Sequence, residues 1–446
     1  MDMTPGAGAR PTAVADRPFD WADSDDPTHR NRHDNVHAGG SGGRTPSRRW
    51  RQRLPGSKRT RWLILVVGLV VILLAPSAWS YGQALAAPGN TSLGVRSVDW
   101  LRDHHFRWLV NDVENFWYSH HKPKKGGNPA GSLARTFDRA AAAPTLGNGG
   151  PSGAGSAGRA LTPRHLPAPA PIPPIVTPPI AGEGQWQPLG QTVGGVPALY
   201  AAYLRPDPVY TSVVTGVAWI DPTLVRAVLY GGVQEPGGTG WQYQGTVAPQ
   251  DRPNLLAAFN SGFKLRDSAG GYFAEGRVVR PLRPGVASLL IRADGTATVG
   301  VLGRDFQMGS DVAFVRQNLA LIVDNGQPAP DLTQSRSRWG ATLGNKVLVW
   351  RSAIGVTADG ALLFAGGNNL SIVTLAHVMA RAGAVRAMEL DINPGWVHFN
   401  TYGPPAPGQP VSAPSVKYLL PGMGGPINRY VGSLNSRDFI ALFRRS

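Results

Sequence analysis

The stretch SIVTLAHVMARAGAVRAMELDINPGW, residues 371–396, carries the strongest local prediction for the fold of the C-terminal part of the chain. Ser371 precedes a run with helical spacing, and a serine there accepts hydrogen bonds from the first free N–H groups of a helix. Gly383 suits the end of that helix, because glycine adopts the left-handed backbone conformation that closes one. The apolar run 385–390 follows at once and indicates a buried strand. We therefore predict a helix–strand unit with Asp391 at the end of its strand.

The sequence around this unit is rich in predicted strands. Asp294-Gly295 and Asp359-Gly360 lie between apolar runs, and this dipeptide is typical of hairpin turns. The other short apolar runs lie at 196–203, 211–219, 224–230, 254–259, 286–292, 297–302, 318–323 and 346–350. We expect residues 185–446 to form one β-rich domain of mixed α/β (α+β) class.

An apolar stretch near the N-terminus predicts a membrane helix over 62–82. The preceding residues 44–61 carry eight Lys and Arg and no acid. Because positive charge stays on the cytoplasmic side, we expect a single-pass protein of the cell membrane with a cytoplasmic N-terminus and an extracytoplasmic C-terminal domain. The alternative is a cleaved signal peptide, since Ala84-Leu85-Ala86 resembles a cleavage site.

Three further segments surround the membrane helix and precede the domain. Residues 1–61 lack periodicity and are predicted to be a disordered, basic cytoplasmic tail. Residues 97–121 have the spacing of an amphipathic juxtamembrane helix. Residues 123–184 are a Pro-, Gly- and Ala-rich linker, and the proline run 167–180 indicates a stiff, extended spacer.

Composition excludes several kinds of chemistry. The chain has no cysteine, so disulfides, thiolate zinc sites and thiol nucleophiles are excluded. The predicted domain has only two histidines and no GxxxxGK motif, which argues against a histidine-rich metal site and a P-loop. The net charge of +16 is spread along the chain, so no segment resembles the polycation of a nucleic-acid-binding protein. We expect no nucleic acid partner.

What remains is a set of carboxylates, arginines, asparagines and glycine turns, which suits glycoside chemistry and phosphate recognition. Four clusters of such residues lie beside or between predicted strands, and the third crosses between two strands and puts an arginine among apolar residues. They are Phe259-Asn260-Ser261-Gly262-Phe263, Arg316-Gln317-Asn318, Trp350-Arg351-Ser352-Ala353-Ile354-Gly355-Val356 and Glu389-Leu390-Asp391-Ile392-Asn393-Pro394-Gly395-Trp396.

The order of these clusters resembles the phosphodiester glycosidase family, which includes the enzyme that removes N-acetylglucosamine from mannose-phosphate tags on lysosomal enzymes. The resemblance covers about 250–400. It places Asn260 and Gly262 in the family's Asn-Gly-Gly-Phe turn, Arg351 in its Arg-Thr/Ser-Ala-Ile-Gly strand, and Asp391 in its Leu-Asp-Gly-Gly-Gly-Ser loop.

The sequence departs from the family at that last loop. Residues 392–396, Ile-Asn-Pro-Gly-Trp, stand where the family has three glycines and a serine. Isoleucine and proline restrict the backbone, and proline removes an N–H donor. Either the loop accepts a different substrate, with Asn393 and Trp396 as binding residues and Trp396 stacking on a sugar, or catalysis has been lost.

The candidate chemistry is cleavage of a sugar–phosphate bond at the anomeric carbon. Arg351, helped by Arg316, would stabilise negative charge on the leaving phosphate, and Asp391 or Glu389 would stabilise the sugar cation or activate water. Asn260 and Gly262 complete the predicted substrate-binding set. The alternatives are structural: Arg351 as a buried ion-pair partner, Asp391 as a loop cap and Asn260 as a turn residue.

The function predicted from sequence is therefore a membrane-anchored cell-surface hydrolase that cleaves sugar phosphodiesters in envelope glycopolymers. The alternative is a catalytically inactive protein that binds glycans or assists envelope assembly with the same fold. The net charge of +7 over 185–446 suits an anionic glycan or sugar-phosphate partner. No cofactor or metal is expected, although a divalent cation such as calcium is left open.

Overall fold

A computed structural model gives the fold of most of the chain. It describes residues 58–106, 108–110, 112–113, 123–142, 164–268, 270–334, 339, 348–410 and 412–445. The predicted disordered tail, 1–61, lies outside the described residues except for 58–61. The chain divides into two compact units, Met1–Ala84 and Leu85–Ser446.

The first unit contains most of helix α1, Lys58–Ala86. It includes the whole predicted membrane span, and among the described residues it is the one helix long and apolar enough to cross a membrane. None of its side chains is buried. Its length and composition suit a membrane span or a signal sequence.

The second unit begins with segments that the sequence assigns to a helix and a linker. Helix α2, Leu93–Asp103, starts at the N-cap Ser92. Most of the rest of the helix predicted over 97–121 lies outside the described residues. Helix α3, Gly131–Ala142, lies within the predicted linker and buries Phe137.

The proline run packs on the domain. Ile172 and Val176 are buried, and the Trp186 indole N–H donates to the Ala170 carbonyl at 2.8 Å. The Leu166 backbone N–H donates to the Asp221 carboxylate at 2.8 Å. Over this stretch the segment therefore belongs to the folded unit.

The rest of the unit is built from antiparallel sheets, which agrees with the predicted β-rich α+β class. The strands are β1 Gln187–Pro188, β2 Thr192–Val193, β3 Val196–Pro197, β4 Leu199–Leu204, β5 Thr215–Ile220, β6 Val225–Tyr230, β7 Leu255–Asn260, β8 Tyr272–Ala274, β9 Arg277–Arg280, β10 Ala287–Arg292, β11 Ala297–Val301, β12 Val312–Gln317, β13 Leu321–Asp324, β14 Gln327–Pro328, β15 Val349–Thr357, β16 Leu362–Leu370, β17 Ala384–Glu389, β18 Phe399–Gly403, β19 Ser415–Tyr418 and β20 Phe439–Arg444.

Three larger sheets position the candidate residues. The eight-stranded sheet has the order β1-β4-β5-β16-β15-β17-β13-β14, and the two five-stranded sheets have the orders β11-β10-β12-β8-β9 and β19-β18-β7-β20-β6. The main core joins the eight-stranded sheet to the sheet containing β7. Phe364 of β16 lies 5.2 Å from Phe259 and 5.0 Å from Phe399 between ring centroids. This packing brings the end of β7 to the middle of the eight-stranded sheet.

The predicted helix–strand unit is confirmed. Helix α4, Ile372–Arg381, begins at Ser371, whose hydroxyl accepts from Thr374 N–H while the Thr374 hydroxyl accepts from Ser371 N–H. Gly383 has a φ of +94° just after the helix, as the prediction of a glycine terminator requires. The helix covers the eight-stranded sheet by burying Leu375 and Met379. Both Asp-Gly hairpins are also present, between β10 and β11 and between β15 and β16.

Candidate functional site

The structure brings the predicted clusters together around Asp391. Asn260 ends β7 and Arg351 lies in β15. Glu389 ends β17, which pairs with β15 and places Glu389 opposite Ala353. Arg316 lies in β12 of a neighbouring sheet. All of these side chains are buried, so the cluster is a connected polar region within the fold.

Asp391 makes contacts with three of the predicted clusters. Its backbone N–H donates to the Ser261 carbonyl at 3.1 Å, and its own carbonyl accepts from the Ser352 hydroxyl at 2.9 Å. One carboxylate oxygen accepts from the Asn393 N–H at 2.9 Å. The other lies 2.9 Å from Arg437 Nη2 in an ion pair. The carboxylate is thus held in place from both its own loop and a distant one.

The side-chain amide of Asn260 links the end of β7 to β15 and to the residue before β18. Its Nδ2 group donates to the Ser352 hydroxyl at 3.0 Å, and its Oδ1 accepts from the His398 N–H at 3.0 Å. Gly262 lies against Asn318: a Cβ added to the glycine would come within 3.1 Å of the amide carbon of the Asn318 side chain. The Gly262 carbonyl accepts from Arg437 at 3.0 Å. These contacts fix the turn that follows β7 against β15, against the residue before β18 and against the loop that carries Arg437.

Glu389 and Arg351 form a buried ion pair behind Asp391. Glu389 Oε1 accepts from Arg351 Nη1, whereas Glu389 Oε2 has no hydrogen-bond partner among the described residues. Burial raises the pKa of Glu389 to about 7; Arg351 opposes this rise and Asp391 adds to it. Burial therefore outweighs the ion pair, and the carboxyl exchanges its proton near neutral pH.

Arg316 is also committed to a buried partner. Its Nε lies 2.7 Å from Asp438 Oδ2, with both side chains 1% exposed, and its guanidinium also donates to the carbonyls of Phe263 and Gln317. Arg316 and Arg351 thus each have a carboxylate partner within the protein. Contact of these two arginines with a substrate phosphate remains a prediction from sequence.

The loop 392–396 is folded around its asparagine and tryptophan. Asn393 Oδ1 accepts from the Gly395 N–H at 2.8 Å, which closes a turn. Trp396 is 6% exposed. The guanidinium carbons of Arg429 and Arg437 lie 4.8 Å and 5.3 Å from its ring centroid. Arg429 and Arg437 therefore pack against the Trp396 ring, which the sequence analysis assigned to stacking on a sugar.

Sequence reasoning missed three charged residues near the site: one pairs with Asp391, one pairs with Arg316 and one lies over Trp396. These are Arg429, Arg437 and Asp438, all buried and all beyond the region of resemblance. Arg437 and Asp438 directly precede the apolar run 439–443. A charged pair adjoining a buried strand was a usable signal, since such residues need partners when they are buried.

Residues 88–103 pack across this region. Lys264 Nζ lies 2.9 Å from Asp99 of α2, and Arg266 lies 2.6 Å from Asp103. The hydroxyls of Thr91 and Ser436 are 2.5 Å apart. The segment therefore contacts both the turn after β7 and the loop that carries Arg437.

His398 lies beneath the site as a neutral ring. It is fully buried, and its Nδ1 lies 2.5 Å from the Gly424 carbonyl. Burial, reinforced by the nearby Arg429 charge, lowers its pKa to about 3. Among the described residues no group of three or more His, Cys, Asp or Glu is placed to hold a metal ion.

Comparison with known proteins confirms the predicted family resemblance. Residues 243–391 match the model of the phosphodiester glycosidase family. The catalytic domain of zebrafish N-acetylglucosamine-1-phosphodiester alpha-N-acetylglucosaminidase is 15% identical to the chain, with a TM-score of 0.37 over 58% of this chain and 88% of that one. A hypothetical protein from Synechocystis is 12% identical, with a TM-score of 0.31 over 58% of this chain and 64% of that one. No curated protein matches the chain in sequence.

Proposed function

We propose that this chain, whose residues 243–391 match the phosphodiester glycosidase family, hydrolyses the bond between a sugar and phosphate in sugar phosphodiesters. The observation that carries the proposal is the setting of Asp391. It is the residue at which the turn after β7, the strand β15 and the loop after β17 meet. The turn and the strand hold its backbone, while its own loop and Arg437 hold its carboxylate. A carboxylate fixed in this way is preorganised, and preorganised charge is the main source of electrostatic stabilisation in enzymes.

The reaction breaks the bond between the anomeric carbon and the phosphate ester oxygen. The electron pair of that bond leaves with the phosphomonoester, and water supplies the hydroxyl that the anomeric carbon gains. The proton released from water goes to a carboxylate or to solvent. We assign Asp391 to the stabilisation of the positive charge that develops on the sugar or to the activation of water.

Glu389 and Arg351 support Asp391 from behind. Glu389 is completely buried, and its backbone carbonyl accepts from the Asn318 side chain at 2.5 Å. In the proposal Glu389 and Arg351 hold the end of β17 in place, while Asn260 and Gly262 align the turn that faces it.

We also propose where the reaction takes place. The basic residues before α1 favour a cytoplasmic N-terminus, which would place residues 85–446 outside the membrane. A sugar phosphodiester met there is a component of an envelope glycopolymer. The positive charge of the domain suits such a polyanion.

The test is release of free sugar from a panel of sugar 1-phosphodiesters by the full chain in detergent. Asp391→Asn is expected to lower turnover roughly a thousandfold or more, as removal of a central catalytic group does in other hydrolases. The matched control is Asp359→Asn, the same change in an exposed turn between β15 and β16, which should retain full turnover. Equal turnover by the wild type and Asp391→Asn would overturn the assignment.

The second candidate is a receptor for anionic glycans that has lost catalysis. The loop 392–396 favours it, because Trp396 is buried against two arginines and Pro394 supplies no backbone donor. Binding of anionic glycans by the wild type, with no turnover and with binding kept in Asp391→Asn, would establish this function instead.

A further inference from the structure

Arg429 is a buried cation with unused hydrogen-bonding capacity. It is 4% exposed. Its Nη2 donates to the Gly395 carbonyl at 2.6 Å, but its Nε and Nη1 have no hydrogen-bond partner among the described residues. No carboxylate in the described part of the chain lies within ion-pair distance of it. A guanidinium in this state has lost its water without gaining a counterion.

The surroundings add to the cost of this arrangement. Arg437 lies near Arg429, and its positive charge helps to lower the pKa of Arg429, although burial is the main cause. Both guanidinium groups lie over Trp396. The ring attracts each cation, but a cation–π contact supplies only part of what an ion pair would. Two like charges gathered on one ring favour an anion between them.

We propose that Arg429 and Arg437 form an anion subsite beside Asp391 that takes the phosphate group of the substrate. The inference rests on the proposed function, and it names the residues that would bind the leaving group in that reaction. Arg437 Nε also lacks a hydrogen-bond partner, since Glu235 lies 3.8 Å away. The two arginines therefore have three nitrogen atoms whose hydrogens are unused, and a phosphate group offers oxygens that can accept from them.

The position of the subsite suits a leaving phosphate. Arg437 contacts the Asp391 carboxylate at 2.9 Å, so a phosphate bound there would lie next to the group assigned to the sugar. Arg351 and Arg316 each have a carboxylate partner already, whereas Arg429 does not. The unpaired arginine is the one with charge available for a ligand.

The segment 88–103 lies beside the subsite. Asn90 Nδ2, before α2, lies 3.5 Å from the Arg429 carbonyl, and a Cβ added to Gly395 would lie 3.8 Å from Val95 of α2. These are a long hydrogen bond and an ordinary van der Waals contact.

The experiment measures thermal unfolding of the full chain in detergent with increasing inorganic phosphate, at ionic strength held constant with chloride. The wild-type Tm should rise with phosphate, because a ligand that binds only the folded state stabilises it. Arg429→Met should weaken phosphate binding roughly tenfold or more, since it removes charge-assisted hydrogen bonds. Arg292→Met, which removes an exposed arginine paired with Asp311, is the matched control and should respond like the wild type.

The stability of the variants without phosphate gives a second measurement. Methionine nearly matches arginine in length, so Arg429→Met should keep or raise Tm when phosphate is absent, because it removes an uncompensated buried charge. A structural cation would behave in the opposite way. Arg429→Lys keeps the charge but not the planar fork, so it should bind phosphate more weakly than the wild type and more tightly than Arg429→Met.

The outcomes separate the subsite from the proposed function. Any one of three results would overturn the subsite, whatever the turnover. The wild-type Tm could be unaffected by phosphate, or Arg429→Met could bind phosphate as tightly as the wild type. The third result is a loss of phosphate binding in Arg292→Met equal to that in Arg429→Met. Phosphate binding that survives Asp391→Asn while no sugar is released by any variant would keep the subsite and reject the hydrolase.

Discussion

The buried carboxyl of Glu389 makes the stability of this protein depend on pH in a direction opposite to that of an ordinary ion pair. Burial raises its pKa from 4.5 to about 7 despite the contact with Arg351. The folded state therefore holds a proton that the unfolded chain gives up between these two pH values. The stabilisation is complete below pH 4.5 and is lost as the pH rises through about 7.

The magnitude follows from the size of the displacement. At about 1.4 kcal/mol for each pH unit, the change from 4.5 to about 7 corresponds to about 3 kcal/mol of unfolding free energy. Glu389→Gln removes the titration while keeping the shape of the side chain. Its own cost, which includes leaving Arg351 without a carboxylate, is independent of pH because arginine stays charged.

The measurement is urea unfolding of the wild type and Glu389→Gln, followed by tryptophan fluorescence, at pH values from 4 to 8. The wild type should lose about 3 kcal/mol relative to Glu389→Gln across this range. His398 titrates in part of the range with the opposite sign, but both proteins contain it, so it cancels in the difference. A difference that is flat, or that favours the wild type as pH rises, would show that Arg351 outweighs burial and would refute the reasoning.

Three further predictions concern buried groups. Arg316→Met should lower the free energy of unfolding in urea by about 3–5 kcal/mol, because it leaves Asp438 buried without its partner. Arg292→Met at the surface should lower it by about 1 kcal/mol or less. Equal losses would contradict the burial of the Arg316–Asp438 pair. The lowered pKa of His398 should destabilise the wild type as pH falls from 6.5 to about 3, and an acid-unfolding midpoint that does not fall in His398→Asn would count against this. Gly355→Ala should cost about 1–3 kcal/mol in urea unfolding, since its Cβ would come within 2.8 Å of a backbone carbonyl; unchanged stability would contradict that close approach.

Local elements and the family resemblance could be predicted from the sequence alone. The helix that begins at Ser371, its end before Gly383 and the two Asp-Gly hairpins follow from capping, spacing and turn chemistry, which act over a few residues. The apolar run that became α1 and the resemblance to the phosphodiester glycosidase family were also visible there.

Sequence reasoning also found the residues that gather at the site, although not their partners. Asn260, Arg351, Glu389 and Asp391 were selected because they are polar residues at the ends of apolar runs or among apolar residues, and because the family resemblance covers their motifs. The neighbours of each strand depend on the order of strands in the sheets, and no local pattern contains that order. The ion pair of Arg351 with Glu389 therefore appeared only as an alternative, and Trp396 was assigned to a sugar although its neighbours are arginines.

The set of charged residues around Asp391 depends on tertiary packing and could not be predicted from local sequence. Arg437 is 46 residues away from Asp391 in sequence, and Asp438 is 122 residues away from Arg316. Arg437 and Asp438 precede β20 in the sheet that contains β7, whereas Asp391 follows β17 of the eight-stranded sheet and Arg316 lies in β12 of the third sheet. Packing of the three sheets brings these groups into contact and removes their water. Arg429 is left without a counterion by the same packing, because the burial of a charge is a property of the whole fold and its partners are chosen by proximity in space.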